Sequence, residues 1–259
     1  MLLLLPPSET KRDGGEGGVL ALERLSFDEF TPIRAALVDA VTELAGDPDA
    51  MMRALKLGPR QAVEVTRNAA LAVSPTMPAI DRYTGVLYDA LDAPTLDDSA
   101  LAYAGEHVFV HSALFGLVGA LDPIPAYRLS HDSRLPGRRL RDEWRAPIAS
   151  TLAAHDGVIV DLRSEGYVGL GPATSREGSH FVRVVAEDES GRKRALNHFN
   201  KRAKGLFTRA LLEQRPAIES IDDLLSWAAS AGIGLGFADR DADADPAGDR
   251  SGMELELVV

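Results

Sequence analysis

Polar side chains that could do chemistry follow directly after the apolar start of the chain. Ser8, Glu9 and Lys11 come after Leu2–Leu5, separated from them by two prolines. A short apolar run before a turn signal is typical of a buried strand, and ligand sites in sheet proteins favour the carboxyl ends of strands. A carboxylate beside an ammonium group can act as a general acid and base or help to bind an anion. The pattern therefore predicts a polar cleft at this strand end.

A second group of the same kind occurs later in the chain. Ser164, Glu165 and Tyr167 follow the apolar segment 157–162, which also reads as a short buried strand. Glu165 could act as a general acid or base, or it could be an ordinary ion-pair partner. This stretch alone does not decide between the two.

The segment 201–209 carries four cations on a predicted helix. Lys201 and Lys204 share one face, Arg202 and Arg209 lie on another flank, and phenylalanine and leucine form the opposite stripe. Cations fixed on one surface suit phosphate, because each neutralises a charge and releases a counterion. The alternative is an ordinary solvated helix face, but no acidic residues are interleaved to form ion pairs. We therefore favour phosphate binding.

The segment L-K-L-G-P-R-Q-A (55–62) resembles the turn of a helix-hairpin-helix DNA-binding module. In such a turn, backbone N–H groups near Gly58 would face a DNA phosphate, with Arg60 beside them. Pro59 suits the first position of the second helix. A plain helix–turn–helix connection explains the same letters, and Lys56 stands where the first glycine of the usual hairpin would be.

The remaining motifs favour neither a metal nor a cofactor. The chain has no cysteine, which excludes thiolate catalysis and cysteine-based metal sites. His107 and His111 have the spacing of a zinc-protease helix, but Val108 stands where the catalytic glutamate should be. G-I-G-L-G (232–236) lacks the strand and helix that flank a dinucleotide-binding turn, and no phosphate-loop motif occurs. We expect no metal and no cofactor.

The charge distribution is more informative than the total. The 259-residue chain has a net charge of −11 and 45% hydrophobic residues, as in an ordinary soluble protein. Between 190 and 212, however, there are seven basic residues and no acidic one, whereas 213–259 holds eleven acids and three arginines. A local cationic surface can exist on such a protein. The apolar start is too short for a signal peptide or a membrane span, so we expect a cytoplasmic protein with no membrane partner.

The predicted elements describe one mixed α/β (α+β) domain over residues 1–259. A mixed sheet with helices around it is expected, together with a possible helix-hairpin-helix element. Ser26 and Glu29 have capping-box spacing before a helix. Further elements are a helix up to His155, a hairpin with its turn at 188–191, a helix ending before Pro216, a solvated loop over 239–250 and a final strand over 253–259.

Several segments together resemble the YaaA family of peroxide-stress proteins, in the family's order and spacing from residue 1 to about 238. They are M-L-L-L-L-P-P-S-E-T-K (1–11), Y-T-G (83–85), S-A-L-F-G-L-V-G-A-L-D-P-I-P-A-Y-R-L (112–129), Trp144, D-L-R-S-E-G-Y (161–167) and N-K-R-A-K-G-L-F-T-R (200–209). The resemblance implies a compact mixed α/β fold in a cytoplasmic bacterial protein. It also implies a link to peroxide tolerance and to limiting free iron, and binding of double-stranded or repair-like DNA through a positively charged cleft and a helix-hairpin-helix element.

The resemblance also assigns residues to this cleft. The family's basic positions match Lys11, Arg128, Lys201, Arg202, Lys204 and Arg209. Its polar cleft positions match Ser8, Tyr83, Ser164, Glu165 and Tyr167.

Two functional hypotheses follow. The leading one is a DNA-binding protein of the oxidative stress response, whose partner is double-stranded or structured DNA. The rival is an enzyme that acts on a nucleobase, nucleoside or nucleotide, such as one that cleaves an N-glycosidic bond. In the rival, Glu165 or Glu9 is the general acid or base, and Lys11, Arg128 and Lys204 steady the charge of the phosphate or leaving group.

Overall fold

A mixed β-sheet runs through the protein and orders the rest of the chain around it. The structure is a computed structural model that describes residues 1–187, 193–195, 199–238 and 250–259. Within these residues the strands are β1 (Leu2–Leu5), β2 (Met77–Pro78), β3 (Val108–Ser112), β4 (Gly116–Gly119), β5 (Pro123–Ile124), β6 (Ile159–Asp161), β7 (Ser179–Glu187), β8 (Lys193–Ala195), β9 (Gly234–Phe237) and β10 (Leu255–Val258). The helices are α1 (Thr31–Leu44), α2 (Pro48–Ala54), α3 (Val63–Ala69), α4 (Ala79–Arg82), α5 (Val86–Leu91), α6 (Asp98–His107), α7 (Leu140–Ala153), α8 (Glu165–Val168), α9 (Phe199–Gln214) and α10 (Ile221–Ser230).

The main sheet has the order β4-β3-β1-β6-β7-β10-β9, and β8 pairs with β7 off this path. Strand β1 is parallel to both of its neighbours, so that Leu4 lies opposite Phe109 in β3 and Asp161 in β6. Strand β7 is parallel to β6 and to β10. Strands β4, β8 and β9 pair in antiparallel fashion, and β2 and β5 form a separate small sheet. The predicted mixed α/β class is confirmed.

The sequence of β1 explains its central position. All four leucines of Leu2–Leu5 are buried, as expected for a parallel strand that is covered on both faces. Because β1, β6 and β7 are parallel, their carboxyl ends open at one edge of the sheet. This edge receives the polar segments that follow β1 and β6.

Helix starts follow local capping chemistry. The carboxylates of Asp47 and Asp97 accept hydrogen bonds from backbone N–H groups in the first turns of α2 and α6. The predicted capping box at Ser26 is wrong: the Ser26 hydroxyl donates to Asp122 at 2.9 Å. Helix α1 begins instead at Thr31, with a proline in its first turn.

Helix α9 packs against α5, α6 and β7. The approach of α9 to α5 requires Gly205, because a Cβ atom there would lie 2.2 Å from the Leu87 carbonyl oxygen. This close contact fixes the part of α9 that carries Lys201 and Lys204.

Some predictions fall on other parts of the chain. The hairpin turn at 188–191 lies outside the described residues, as does nearly all of the loop over 239–250. Across the described ranges, the helices are all too short or too polar to cross a bilayer. The cytoplasmic location and the single domain over 1–259 stay predictions.

Candidate functional site

A cavity of about 570 Å³ opens at the carboxyl ends of β1 and β6. We call it the cationic cleft. Its walls come from the segment after β1, the loop before α7, helix α8, strand β7 and helix α9. It is lined by Pro6, Pro7, Glu9, Ser130, His131, Arg163, Ser164, Glu165, Gly166, Tyr167, Phe181, Val182, Arg183, Val184, Asn200, Lys201 and Lys204. The two polar strand ends predicted from the sequence therefore meet in one cavity.

Glu9 is the carboxylate that β1 delivers to the cleft. Its Oε2 atom accepts a hydrogen bond from Nη2 of Arg128 at 2.6 Å. Arg128 is buried and does not line the cleft. Its backbone is held by Asn68, whose side-chain amide bonds both the N–H and the carbonyl oxygen of Arg128. Arg128 thus fixes the position of the Glu9 carboxylate from the buried side of the cleft wall.

Lys11 is enclosed beneath the same segment. Its Nζ atom donates to the carbonyl oxygens of Ser8 at 2.9 Å and Glu9 at 3.4 Å, and it lies 4.1 Å from the centre of the Tyr127 ring. Burial lowers its pKa to about 7, and the charge of Arg128 acts in the same direction. Two carbonyl oxygens and the face of the Tyr127 ring thus surround the ammonium group. This arrangement fixes the course of residues 8–11.

A chain of buried hydroxyl groups lies beside Lys11. The phenol of Tyr83 is 2.8 Å from that of Tyr127, which is 2.7 Å from the hydroxyl of Ser112. Burial raises the pKa of both phenols. Tyr83 therefore lies behind the cleft as a neutral group, whereas Tyr167, whose phenol pKa burial also raises, lines it.

Glu165 lies at the rim of the cleft at the start of α8, next to the exposed Ser164. Its Oε1 atom is 3.4 Å from Nη1 of Arg183. Arg183 also forms a two-point ion pair with Glu254, with distances of 2.7 and 2.9 Å. The hydrogen bonds to Glu254 raise the pKa of Arg183, so this guanidinium stays charged.

Lys204 of α9 contacts the segment that follows β6. Its Nζ atom donates to the carbonyl oxygens of Leu162 at 2.8 Å and Arg163 at 3.5 Å. Burial lowers its pKa to about 8, opposed by the charge of Asp161. Lys204 belongs to the cleft wall and Lys11 does not, although both residues are buried.

Arg163 is a buried cation whose partners are protein groups. It donates to the Asp161 carboxylate at 2.8 and 2.6 Å, to Nδ1 of His111 at 2.9 Å and to the Gly171 carbonyl oxygen at 2.8 Å. His111, the second histidine of the predicted pair, therefore lies in the interior. Its pKa is lowered by burial and by Arg163. His107 contacts Met1 instead, and the described residues hold no group of three or more metal-ligating side chains.

The predicted cations of α9 separate into two groups. Lys201 and Lys204 line the cleft, whereas Arg202 is exposed outside it. Arg209 lies at the α5 side, where Nη1 donates to Leu91, Asp92 and Thr95 and Nη2 pairs with Glu213 at 2.9 Å. A phosphate role for Arg202 or Arg209 stays a prediction.

The predicted hairpin turn joins α2 to a short 3-10 turn, Pro59–Gln61, that precedes α3. Lys56 adopts φ = +55°, a conformation that favours glycine. The Gly58 N–H donates to the Gln61 side chain at 3.0 Å. The geometry shows two short helices joined by a turn, and it does not show a DNA-binding hairpin. Phosphate contacts at Gly58 and Arg60 stay predictions.

The sequence analysis missed two cationic features. One is Arg183, which lies within strand β7 and lines the cleft. The other we call the arginine surface: Arg134, Arg138, Arg139 and Arg141, from the motif R-L-P-G-R-R-L-R (134–141). These arginines border an open groove that also includes His131, a residue of the cleft wall. Four arginines within eight residues were the sequence signal that could have indicated this surface.

The cleft wall therefore holds four cations, but Arg163 is fully buried and bound by Asp161. Arg183, Lys201 and Lys204 remain, against two carboxylates, Glu9 and Glu165. Gly166 allows the loop at His131 to close over α8, since a Cβ atom at Gly166 would lie 2.4 Å from Nε2 of His131. Such a cavity can bind an anion, and it holds carboxylates that could take part in proton transfer.

The chain is similar to known proteins over most of its length. A family model described as peroxide stress protein YaaA matches residues 1–232. A UPF0246 protein of Corynebacterium glutamicum is 39% identical over 238 residues, which cover 90% of this chain and 94% of that protein. A UPF0246 protein of Streptomyces coelicolor is 39% identical over 233 residues, covering 87% and 88%. The segments that resembled the family thus lie within a match that spans most of the chain, and the chain belongs to the peroxide stress protein YaaA family.

Proposed function

We propose that this protein binds double-stranded or structured DNA in the peroxide stress response, with the phosphate backbone in the cationic cleft. One observation carries the proposal: a cavity of about 570 Å³ with Arg183, Lys201 and Lys204 in its wall opens beside the arginine surface, on a chain of net charge −11. An anionic partner is attracted to such a local field despite the overall charge.

The arginine surface extends this binding track. Arg134, Arg139 and Arg141 are exposed, and within the described residues their guanidinium groups have no ion-pair partner. Arg138 pairs with Glu143 at 2.8 Å. Cations without internal partners can each release a counterion when a phosphate binds. The turn at 55–62 adjoins this region through the ion pair of Lys56 with Asp132, and it would contribute Gly58 and Arg60.

Salt dependence tests the proposal. The affinity for a 20-base-pair duplex should fall steeply with salt, with a log–log slope of about −0.9 for each phosphate neutralised. In Lys201→Ala/Lys204→Ala the slope should be shallower by about 1.8. Arg24→Ala is the matched control, since Arg24 is an exposed cation outside the cleft and the arginine surface. A wild-type slope near zero would refute the proposal.

The link to limiting free iron belongs to the same proposal as a cellular outcome. Cells that carry the Lys201→Ala/Lys204→Ala variant should show raised free iron and greater peroxide sensitivity than cells that carry Arg24→Ala. Equal iron levels in the two strains would separate DNA binding from the iron phenotype.

A second candidate function has one specific observation in its favour. Glu9 and Glu165 line the same cavity as the cations, and carboxylates weaken phosphate binding unless they contact a base or do chemistry. In the enzymatic alternative, water adds to the sugar carbon as the N-glycosidic bond breaks. One carboxyl group gives its proton to the leaving base, and the water proton passes to the other.

Mass spectrometry of released base separates the two candidates. The protein would be incubated with nucleosides, nucleotides and damaged DNA. The enzymatic alternative predicts base release that is lost in Glu165→Gln. No release, or release that survives Glu165→Gln, would remove this mechanism and leave DNA binding unaffected.

A further inference from the structure

A second cavity of about 340 Å³ adjoins the cationic cleft. We call it the side cavity. It is lined by Asp161, Glu165, Val168, Ala173, Thr174, Ser175, Ser179, His180, Phe181, Arg183, Gly252, Met253 and Glu254. Three of these residues, Glu165, Phe181 and Arg183, also line the cationic cleft. The two cavities therefore share a wall.

The walls of the side cavity differ in character from those of the cleft. Val168, Ala173, Phe181 and Met253 supply apolar surface, whereas the only cation among the lining residues is Arg183. The hydroxyl groups of Thr174, Ser175 and Ser179 and the carboxylates of Glu165 and Glu254 supply hydrogen-bonding atoms. The Asp161 carboxylate in the same wall is already bound by Arg163. An apolar slot with a few polar groups suits a flat heteroaromatic ligand.

In the shared wall, the side chain of Arg183 is fixed, whereas that of Glu165 is free to change its orientation. Arg183 is held by its two-point ion pair with Glu254. Glu165 is only 3.4 Å from Arg183, and its side chain is 78% exposed. An exposed ion pair of this length contributes little stability, so Glu165 can turn away at small cost. A ligand can then occupy both cavities at once.

Phe181 sets the polarity change between the two cavities. Lys204 of the cleft lies 5.6 Å from the centre of the Phe181 ring. One side of this wall therefore meets a cation that can contact phosphate, and Phe181 also lines the apolar slot. A nucleotide matches this arrangement, because its anionic phosphate could contact the cation while its flat base lies in the apolar slot.

We propose that the side cavity takes one unpaired nucleobase of the DNA whose phosphates lie in the cationic cleft. The proposal rests on the proposed DNA-binding function and specifies what it recognises. A volume of about 340 Å³ is ample for a single base. Because extrusion of a paired base costs unpairing and unstacking, the protein should prefer DNA in which a base is already unpaired.

The test compares two duplexes of the same length and sequence. One carries a single unpaired 2-aminopurine, and the other carries an abasic residue at that position. We expect roughly tenfold tighter binding of the 2-aminopurine duplex, the order found for one base held against aromatic and apolar side chains. We also expect its fluorescence to change on binding, because the base leaves the stack.

A matched pair of variants locates the effect. Ser175→Trp fills the mouth of the side cavity, and Ser150→Trp places the same bulk at an exposed position of α7 outside both cavities. Ser175→Trp should bind both duplexes equally, with the wild-type affinity and salt slope for the abasic one, which also shows that it is folded. Ser150→Trp should keep the tenfold preference.

The outcomes separate this inference from the proposed function. If the wild type binds both duplexes equally, or if Ser175→Trp keeps the preference, the side cavity is not a base site and DNA binding stands. If the wild type binds neither duplex, both proposals fail.

Discussion

The two buried lysines, Lys11 and Lys204, have similar surroundings, but only Lys204 lines the cationic cleft. The ammonium group of each lies near a strand end and donates to two backbone carbonyl oxygens, and each has a pKa lowered by burial, to about 7 and about 8. Lys11 is closed in by the Tyr127 and Tyr83 rings. Lys204 lies in the wall of the cationic cleft, although it is no more exposed than Lys11.

This difference shows that a lowered pKa alone does not mark a functional lysine. Burial desolvates an ammonium group whether it stabilises a loop or awaits a ligand. The two lysines differ in whether they border a cavity in which a bound ligand could contact the ammonium group. We therefore propose that Lys11 positions Glu9 and that Lys204 binds phosphate, and the following predictions test that division.

The largest expected effect is on stability. Lys11→Ala leaves the carbonyl oxygens of Ser8 and Glu9 without their donor in an enclosed site, and it should lower the free energy of unfolding by about 2–3 kcal/mol. Lys204→Ala should cost about 1 kcal/mol, because water from the cleft can reach the Leu162 carbonyl oxygen. Urea denaturation of both variants measures the difference. A larger loss in Lys204→Ala would contradict the assignment.

The second prediction concerns stability and pH. In the folded protein the two lysines have pKa values of about 7 and about 8, below the ordinary 10.5. Between pH 7 and pH 9 the unfolded chain, in which both lysines stay charged, binds more protons than the folded protein, so stability should rise with pH by about 2 kcal/mol per unit.

Denaturation at pH 7, 8 and 9 checks this rise. In Lys11→Met the rise should be smaller, because Lys204 alone remains to supply it. A rise of unchanged size in Lys11→Met would show that Lys11 is not the buried titrating group.

The third prediction concerns affinity and pH. With a pKa of about 8, the charged fraction of Lys204 falls about tenfold between pH 7 and pH 9, and the affinity for DNA should fall by up to about the same factor. Fluorescence anisotropy with labelled duplex measures it. Lys204→Arg, whose side chain stays charged, should flatten the profile, whereas Lys11→Met should keep it.

The smallest expected effect is at Arg209. This cation was predicted to bind phosphate, and the structure engages it with Leu91, Asp92 and Thr95. Arg209→Ala should therefore lower the free energy of unfolding by about 1 kcal/mol and leave the salt slope of DNA binding unchanged. A slope shallower by about 0.9 would instead return Arg209 to the binding track.

The strand ends were predictable because the relevant signals are local. Four leucines before two prolines define β1, and the polar residues after β1 and β6 meet because parallel strands place their carboxyl ends together. The neighbours of those strands were less visible. Strand β3 contains His111, which the spacing rules compared with a metal motif, and β4 and β9 lie in glycine-containing apolar segments without clear alternation.

The fate of each predicted cation could not be read from the sequence. Lys201 and Arg202 are adjacent, yet only Lys201 lines the cleft, since helix rotation depends on how α9 packs on α5 at Gly205. Arg183 and Glu254 meet across β7 and β10, which are about seventy residues apart in the chain. Tertiary contacts of this kind decide which charges face a ligand and which stabilise the fold.

The most direct test of the central claim is the salt slope of DNA binding in Lys204→Ala and Lys11→Ala, measured side by side on one duplex. We expect a slope shallower by about 0.9 in Lys204→Ala and a wild-type slope in Lys11→Ala. Equal slopes in the two variants would contradict the claim.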